Sequence, residues 1–168
     1  MNDLCIAYHT IENRGPIPRS LRAAMGDWIF GCDLCQEACP VNDRGRVHLE
    51  PGLPEFAAAD EDAAFPDLVE ILSLTEAEFR SRFAGRPILR AKYAGLLRNV
   101  CVALGNLGER GAAAALARAL DHEEPLVRGH AAWALGRIGA PTPLRERLGT
   151  EGDGWVREEI AAALEECR

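Results

Sequence analysis

Four cysteines near the start of the chain, Cys5, Cys32, Cys35 and Cys39, are the residues best suited to chemistry in this sequence. Two residues separate Cys32 from Cys35, three more precede Cys39, and Pro40 follows directly. Thiolates two residues apart on a tight turn can grip one metal centre together. Met1-Asn2-Asp3-Leu4 has no basic region and no long apolar core after it, so no secretory signal is read there. The cysteines are therefore expected to be cytosolic thiols in a cytoplasmic protein, where a cysteine cluster points to metal or redox chemistry rather than disulfides. Cys101 and Cys167 fall in alanine-rich helical segments and read as small buried hydrophobes.

The spacing Cys32-x2-Cys35-x3-Cys39-Pro40 reproduces the last three cysteines and the proline of the bacterial ferredoxin run C-x2-C-x2-C-x3-C-P. The first cysteine of that run is missing, and Ile29 stands at its position. Three readings compete. Cys5, Cys32, Cys35 and Cys39 could form a four-thiolate zinc site, hold one [4Fe-4S] cluster, or supply half of a two-cluster module whose other four thiolates come from elsewhere. Zinc sites usually pair two C-x2-C knuckles and only one is present, while the terminal Cys-Pro favours iron–sulfur.

The elements that must position these thiols follow from composition and punctuation. The chain has 168 residues, 48% hydrophobic and 27% charged, the balance of a folded protein. No apolar run approaches the roughly 18 residues needed to span a bilayer, so no membrane role is expected. Gly15-Pro16-Ile17-Pro18 is a turn before a short helix from Ser20 to Met25, and residues 41–66 read as an irregular connection with a solvated acidic stretch at Asp60-Glu61-Asp62. Thr75 and Glu78 have capping-box spacing for a helix through about Phe83, and a long helical segment is expected from about Leu89 to Leu107. Ala103-Leu104-Gly105-Asn106-Leu107-Gly108 recurs as Ala134-Leu135-Gly136-Arg137-Ile138-Gly139, and Ala134-Leu135 returns as Ala163-Leu164. Each unit follows a Val-Arg or Leu-Arg opening, and second helices are expected over Gly111–Leu120 and Thr142–Leu148. A period near 30 with two helices per unit is a short HEAT-type solenoid. The fold expected is mainly α: a partial ferredoxin-like [4Fe-4S] module at 1–50, a linker and helical junction at 51–88, and HEAT-like repeats at 89–168.

The net charge of −7 hides an asymmetry. Phe79 to Gly108 contains no acid and six bases: Arg80, Arg82, Arg86, Arg90, Lys92 and Arg98. Such a stretch is either a polyanion-binding surface or a set of arginines paired with acids from elsewhere in the fold. His122 and His130 read as structural and His9 as a polar contact near Cys5. Trp28 and Phe30 read as apolar cover or ordinary core beside the cysteine turn. No phosphate loop, Ser–His–Asp arrangement or paired-carboxylate signature stands out.

The residues resemble one family. Cys5-Ile6-Ala7-Tyr8-His9-Thr10-Ile11-Glu12, Arg14-Gly15-Pro16-Ile17-Pro18, Gly26 to Asn42 through the cysteine run, Leu96-Leu97-Arg98-Asn99 and Ala103-Leu104-Gly105-Asn106 are similar to the C-terminal part of the epoxyqueuosine reductases of queuosine biosynthesis. The resemblance implies an oxidoreductase in which [4Fe-4S] clusters pass electrons to a cobalamin and epoxyqueuosine at the wobble position of a tRNA anticodon stem-loop is reduced to queuosine. By that resemblance Cys5, Cys32 and Cys35 ligate one cluster and Cys39 reaches the other. The family's cobalamin domain and upstream cysteine run are not found in these residues. The resemblance thus implies a fragment, a split subunit with an upstream polypeptide partner, or a late-starting gene model, and no epoxide reduction by this chain alone. The basic stretch would dock the tRNA. The competing function is a HEAT-repeat interaction module with a structural zinc site.

Overall fold

The structure, a computed structural model, describes residues 3–45 and 66–167. The expected acidic loop at Asp60–Asp62 lies outside them. Among the described residues all regular structure is helical: α1 (Arg19–Arg22), α2 (Leu34–Glu37), α3 (Pro40–Gly45), α4 (Leu68–Leu72), α5 (Glu76–Arg82), α6 (Tyr93–Leu107), α7 (Ala113–Ala119), α8 (Pro125–Ile138), α9 (Pro141–Leu148) and α10 (Gly154–Glu166). A π-helical turn at Tyr8–Glu12 and 3-10 turns at Ala23–Met25, Pro87–Ala91 and Arg110–Ala112 complete the set.

Two units form, divided differently from the expected modules. Met1–Gly31 belongs with Leu68–Arg168, and Cys32–Asp67 is a second unit. The boundary expected at residue 50 lies outside the described residues, and the segment ending at Gly31 is bonded into the repeats.

Within the larger unit α6 packs on α8, and α8 packs on α10. Leu96, Val127, Leu135, Leu144, Val156 and Ile160 are fully buried among them. The repeated Ala-Leu-Gly has a geometric cause. A Cβ on Gly105 would lie 3.1 Å from the Ala134 Cβ and 2.7 Å from the Trp133 ring, and a Cβ on Gly136 would lie 2.8 Å from the Ala163 Cβ. The glycine of one unit therefore receives the alanine of the next. Both first helices end as expected at left-handed glycines, Gly108 at φ 70° and Gly139 at φ 73°.

The Val-Arg opening closes the turns between helices. Val127 and Val156 are buried, Arg128 donates to the carbonyls of His122 and Glu123, and Arg157 donates to those of Leu148 and Glu151. Leu97-Arg98 is not the same feature, since the offset of the Ala-Leu-Gly motif sets Arg98 opposite Gly129.

Local signals set the other boundaries. The Thr75 hydroxyl accepts the Glu78 N–H and the Glu78 carboxylate accepts the Thr75 N–H at 2.8 Å, the reciprocal cap that the spacing predicts. The long helix starts at Tyr93 rather than Leu89. Pro87 opens a 3-10 turn, and Lys92 at φ 64° leaves the helical region before α6 begins.

Gly136→Ala is expected to destabilise by about 1–3 kcal/mol through overpacking against Ala163, although alanine is the better helix former. Gly95→Ala, where a Cβ meets nothing within 4 Å, is expected to be neutral or stabilising. Chemical denaturation of both variants checks this; equal effects would remove the close-approach argument.

Candidate metal centre

Cys5 is exposed, and its carbonyl accepts the His9 N–H at 3.0 Å at the entrance to the π-helical turn. Asn13 donates to His9 Nδ1, which leaves Nε2–H to donate to the Asp3 carbonyl at 2.8 Å. His9 is thus committed to backbone and amide partners, as the polar-contact reading expects. Thr10 is fully buried; its hydroxyl donates to the Ile6 carbonyl and accepts the Gly31 N–H at 3.0 Å.

This N-terminal segment is fastened to the repeats by polar groups at one recurring place. Asn99, His130 and Glu159 follow one another at the spacing of the repeat itself. Asn99 donates to the carbonyls of Thr10 and Ile29, at 2.8 and 2.9 Å. His130 Nε2 accepts the Ile17 N–H at 3.1 Å while Nδ1–H donates to the Leu126 carbonyl. Burial, aided by the Arg22 charge, pushes the His130 pKa well below the usual histidine value, so the ring stays neutral and free to accept. Glu159 receives both Nη groups of Arg22 at 2.8 Å and Nε of Arg19 at 2.9 Å. From the same face of α6, Asn106 donates to the carbonyls of Arg22 and Gly26.

Arg98 departs from the expected phosphate-binding surface. It is 1% exposed, and its guanidinium donates to the carbonyls of His9, Asn13 and Gly15 and to Asn99 Oδ1. Burial lowers its pKa to about 10, which leaves it a cation at neutral pH. A guanidinium satisfied by internal carbonyls cannot reach a phosphate. Of the other five bases, Arg80 pairs with Glu76, Arg82 with Glu70 and Arg90 with Glu12. Arg86 and Lys92 form no ion pair among the described residues.

Gly31, at φ 76°, leads into the second unit. There Asp33 accepts the N–H groups of Gln36 and Glu37 to start α2, and the Cys39 carbonyl accepts the Asn42 N–H in α3. Asn42 Nδ2 ties α3 to Gln36. Cys35 is exposed, Cys32 and Cys39 are half-buried, and all three are free thiols. Among the described residues no three Cys, His, Asp or Glu side chains converge as metal ligands, so the structure does not itself assemble the expected set. The donor chemistry nevertheless fits a soft-metal cluster: accessible, uncommitted thiols, three of them on one turn and its short helices. Cys101 is different. It is fully buried, and burial pushes its thiol up, away from the thiolate a metal needs. Cys167 is half-buried, its pKa is also raised, and its Sγ donates to the Gly136 carbonyl.

Comparison with known proteins agrees with this division of labour. Residues 2–42 match the family model of the 4Fe-4S double cluster binding domain, and residues 87–165 match that of HEAT repeats. The epoxyqueuosine reductase of Xanthomonas campestris is 41% identical over 136 residues, 80% of this chain and 37% of its own length. The "Uncharacterized protein in gldA 3'region" of Geobacillus stearothermophilus is 33% identical over 169 residues, covering 96% of this chain and 74% of its own length. A crystal structure of epoxyqueuosine reductase with a tRNA-Tyr epoxyqueuosine-modified stem loop superposes with a TM-score of 0.84 at 30% identity, over 97% of this chain and 43% of that one. Cysteine run and repeats together define an iron–sulfur protein on a HEAT-repeat scaffold. More narrowly, the chain is homologous to part of the epoxyqueuosine reductases, at 30–42% identity, and it spans less than half the length of the reductases it matches. No helix among the described residues is long and apolar enough to cross a membrane.

The sequence signal for the fastening residues lay in their register: three polar residues at one place in three alanine-rich units. Glu159→Ala would strand Arg22, itself 1% exposed, without its counter-charge. Breaking a buried pair from one side costs about 3–5 kcal/mol. Urea denaturation is expected to show a loss of that size, whereas a change well below it would mean that the pair is not fastening the segment.

Proposed function

We propose that this chain is the cluster-binding and RNA-docking portion of a tRNA epoxyqueuosine reductase, with Cys5, Cys32, Cys35 and Cys39 as its cluster ligands. The observation that carries the reading is the accessible Cys32-x2-Cys35-x3-Cys39-Pro40 run, which begins one residue after a segment fastened to HEAT-type repeats. A bound [4Fe-4S] cluster exchanges single electrons, the chemistry that reduction through a cobalamin requires. The residues of this chain hold that cluster's ligands and present a basic edge to RNA. Reduction of the epoxide by this chain alone is not part of the proposal.

The zinc reading uses the same thiols and is separated from this one by colour. Anaerobically reconstituted wild type is expected to be brown, with a broad visible absorbance that dithionite bleaches. Cys35→Ala is expected to lose the chromophore while Cys101→Ala keeps it. Full iron and colour in Cys35→Ala would overturn the ligand assignment, and a colourless protein with bound zinc would favour the structural-metal alternative.

For RNA, Arg86 and Lys92 are the two bases of the acid-free stretch without an ion pair among the described residues. Lys92 holds a positive φ of 64° that glycine would occupy more easily, a strain of the kind retained at functional positions. Arg80, Arg82 and Arg90 can add field from their ion-paired positions, and Arg98 is too buried to contact a phosphate. Each phosphate contact contributes a log–log salt slope of about −0.7 to −0.9. Binding of a tRNA anticodon stem-loop at two salt concentrations tests this. Arg86→Glu/Lys92→Glu is expected to weaken binding and flatten the slope by about two contacts. Unchanged affinity and slope would leave these bases as a solvated face.

A further inference from the structure

The Cys5 turn and the stretch that leads to Cys32 are joined by hydrogen bonds before any metal is considered. One stretch runs from Cys5 to Thr10, and the other from Ile29 to Gly31, the residue before Cys32. Two side chains bridge them, Thr10 and Asn99. The Gly31 N–H donates to the Thr10 hydroxyl at 3.0 Å, and that hydroxyl donates onward to the Ile6 carbonyl at 2.9 Å. Asn99 reaches both stretches with one amide, through the carbonyls of Thr10 and Ile29. Thr10 and Asn99 are both 0% exposed, so water does not compete for these bonds. Arg98 adds the His9 carbonyl, and the His9 N–H in turn holds the Cys5 carbonyl.

A hydrophobic side chain at residue 10 would leave the Gly31 N–H without its acceptor. Gly31 sits at φ 76°, a conformation that glycine adopts without strain, and its N–H is held by the Thr10 hydroxyl. We propose that Thr10, supported by Asn99, is a positioning residue that sets the register of the Cys5 turn against Gly31, the point from which the Cys32 run departs. The proposal rests on the cluster-binding reading above. Thr10 touches no cluster in this account; it acts through Gly31 and the Cys5 turn, as outer partners orient the ligands of other metal sites.

The test has two arms. In the metal-free wild-type chain, hydrogen–deuterium exchange at the Gly31 amide is expected to be slow; exchange at the rate of an open loop overturns the proposal without any variant. In the reconstituted chain, Thr10→Val is expected to lose iron to a ferrous chelator roughly 10–100-fold faster, the range found when outer partners of metal ligands are removed. Its reduced cluster is also expected to show a broadened electron paramagnetic resonance signal, and Thr10→Ser is expected to restore both properties. Asn106→Ala, which removes two carbonyl contacts from the same helix, serves as the control for general loosening and is expected to change neither. A Thr10→Val protein with wild-type retention and spectrum, or an Asn106→Ala protein as impaired as Thr10→Val, overturns the positioning role. A wild-type chain that takes up no iron overturns the cluster reading itself, and the positioning role with it.

Discussion

The structure of the larger unit depends on a cation kept out of water. Arg98 lies inside the protein, and its donors are distributed over three backbone carbonyls of the N-terminal segment and the amide of Asn99. A buried guanidinium is tolerable only when its donors are satisfied, and here the satisfying groups belong to a stretch with little apolar surface of its own. The need to solvate one arginine internally therefore fixes where residues 9–15 run. His130 and the Arg22–Glu159 pair continue the same task along α8 and α10. Among the described residues no buried side-chain nitrogen or oxygen is left without a partner.

The extended faces of helical repeats commonly serve to bind other molecules. In this protein the chain's own N-terminal segment is bonded to the repeats through Asn99, His130 and Glu159. The repeats and the segment that carries Cys5 thus act as one body as far as Gly31, which is why a division by sequence motif and a division by packing differ. The close contacts between units serve this arrangement. Gly105 and Gly136 let α6, α8 and α10 approach until the alanines of the next helix touch their backbones, which brings Asn99, His130 and Glu159 along a single segment.

Legibility in the sequence followed locality. The capping box at Thr75, the terminal glycines 108 and 139, the two-helix unit and the cysteine run are decided by residues a few positions apart, and each could be read directly. The start of α6 lies at Tyr93 rather than Leu89 because the periodicity of Leu89 onward hides the backbone turn at Lys92. Arg98 departs from the expected surface for a different reason. A run without acids gives the sign of a field but not the direction a side chain points. The neighbours of Arg98 held the missing clue. From Gly95 to Gly105 every residue of α6 is buried, so an arginine beside an asparagine there had to find its partners inside. Asn99, Thr10 and Glu159 could not be read as a set, since their partners are remote in the chain: Asn99 reaches Ile29, and Glu159 receives Arg19.

The matched offsets of the three fastening residues carry an evolutionary consequence. Tandem repeat proteins ordinarily gain and lose whole units with little penalty, since each contacts only its neighbours. This chain does not have that freedom. Its repeats form a ruler laid against a tether of set length, with graduations at Asn99, His130 and Glu159 read at Thr10, Ile17 and Arg22. Deleting the α8 unit would bring Glu159 to the station of His130 and leave Arg19 and Arg22 without the carboxylate they share. Duplicating it would leave one graduation with no tether to measure. Repeat number and the length of the N-terminal segment are therefore inherited together.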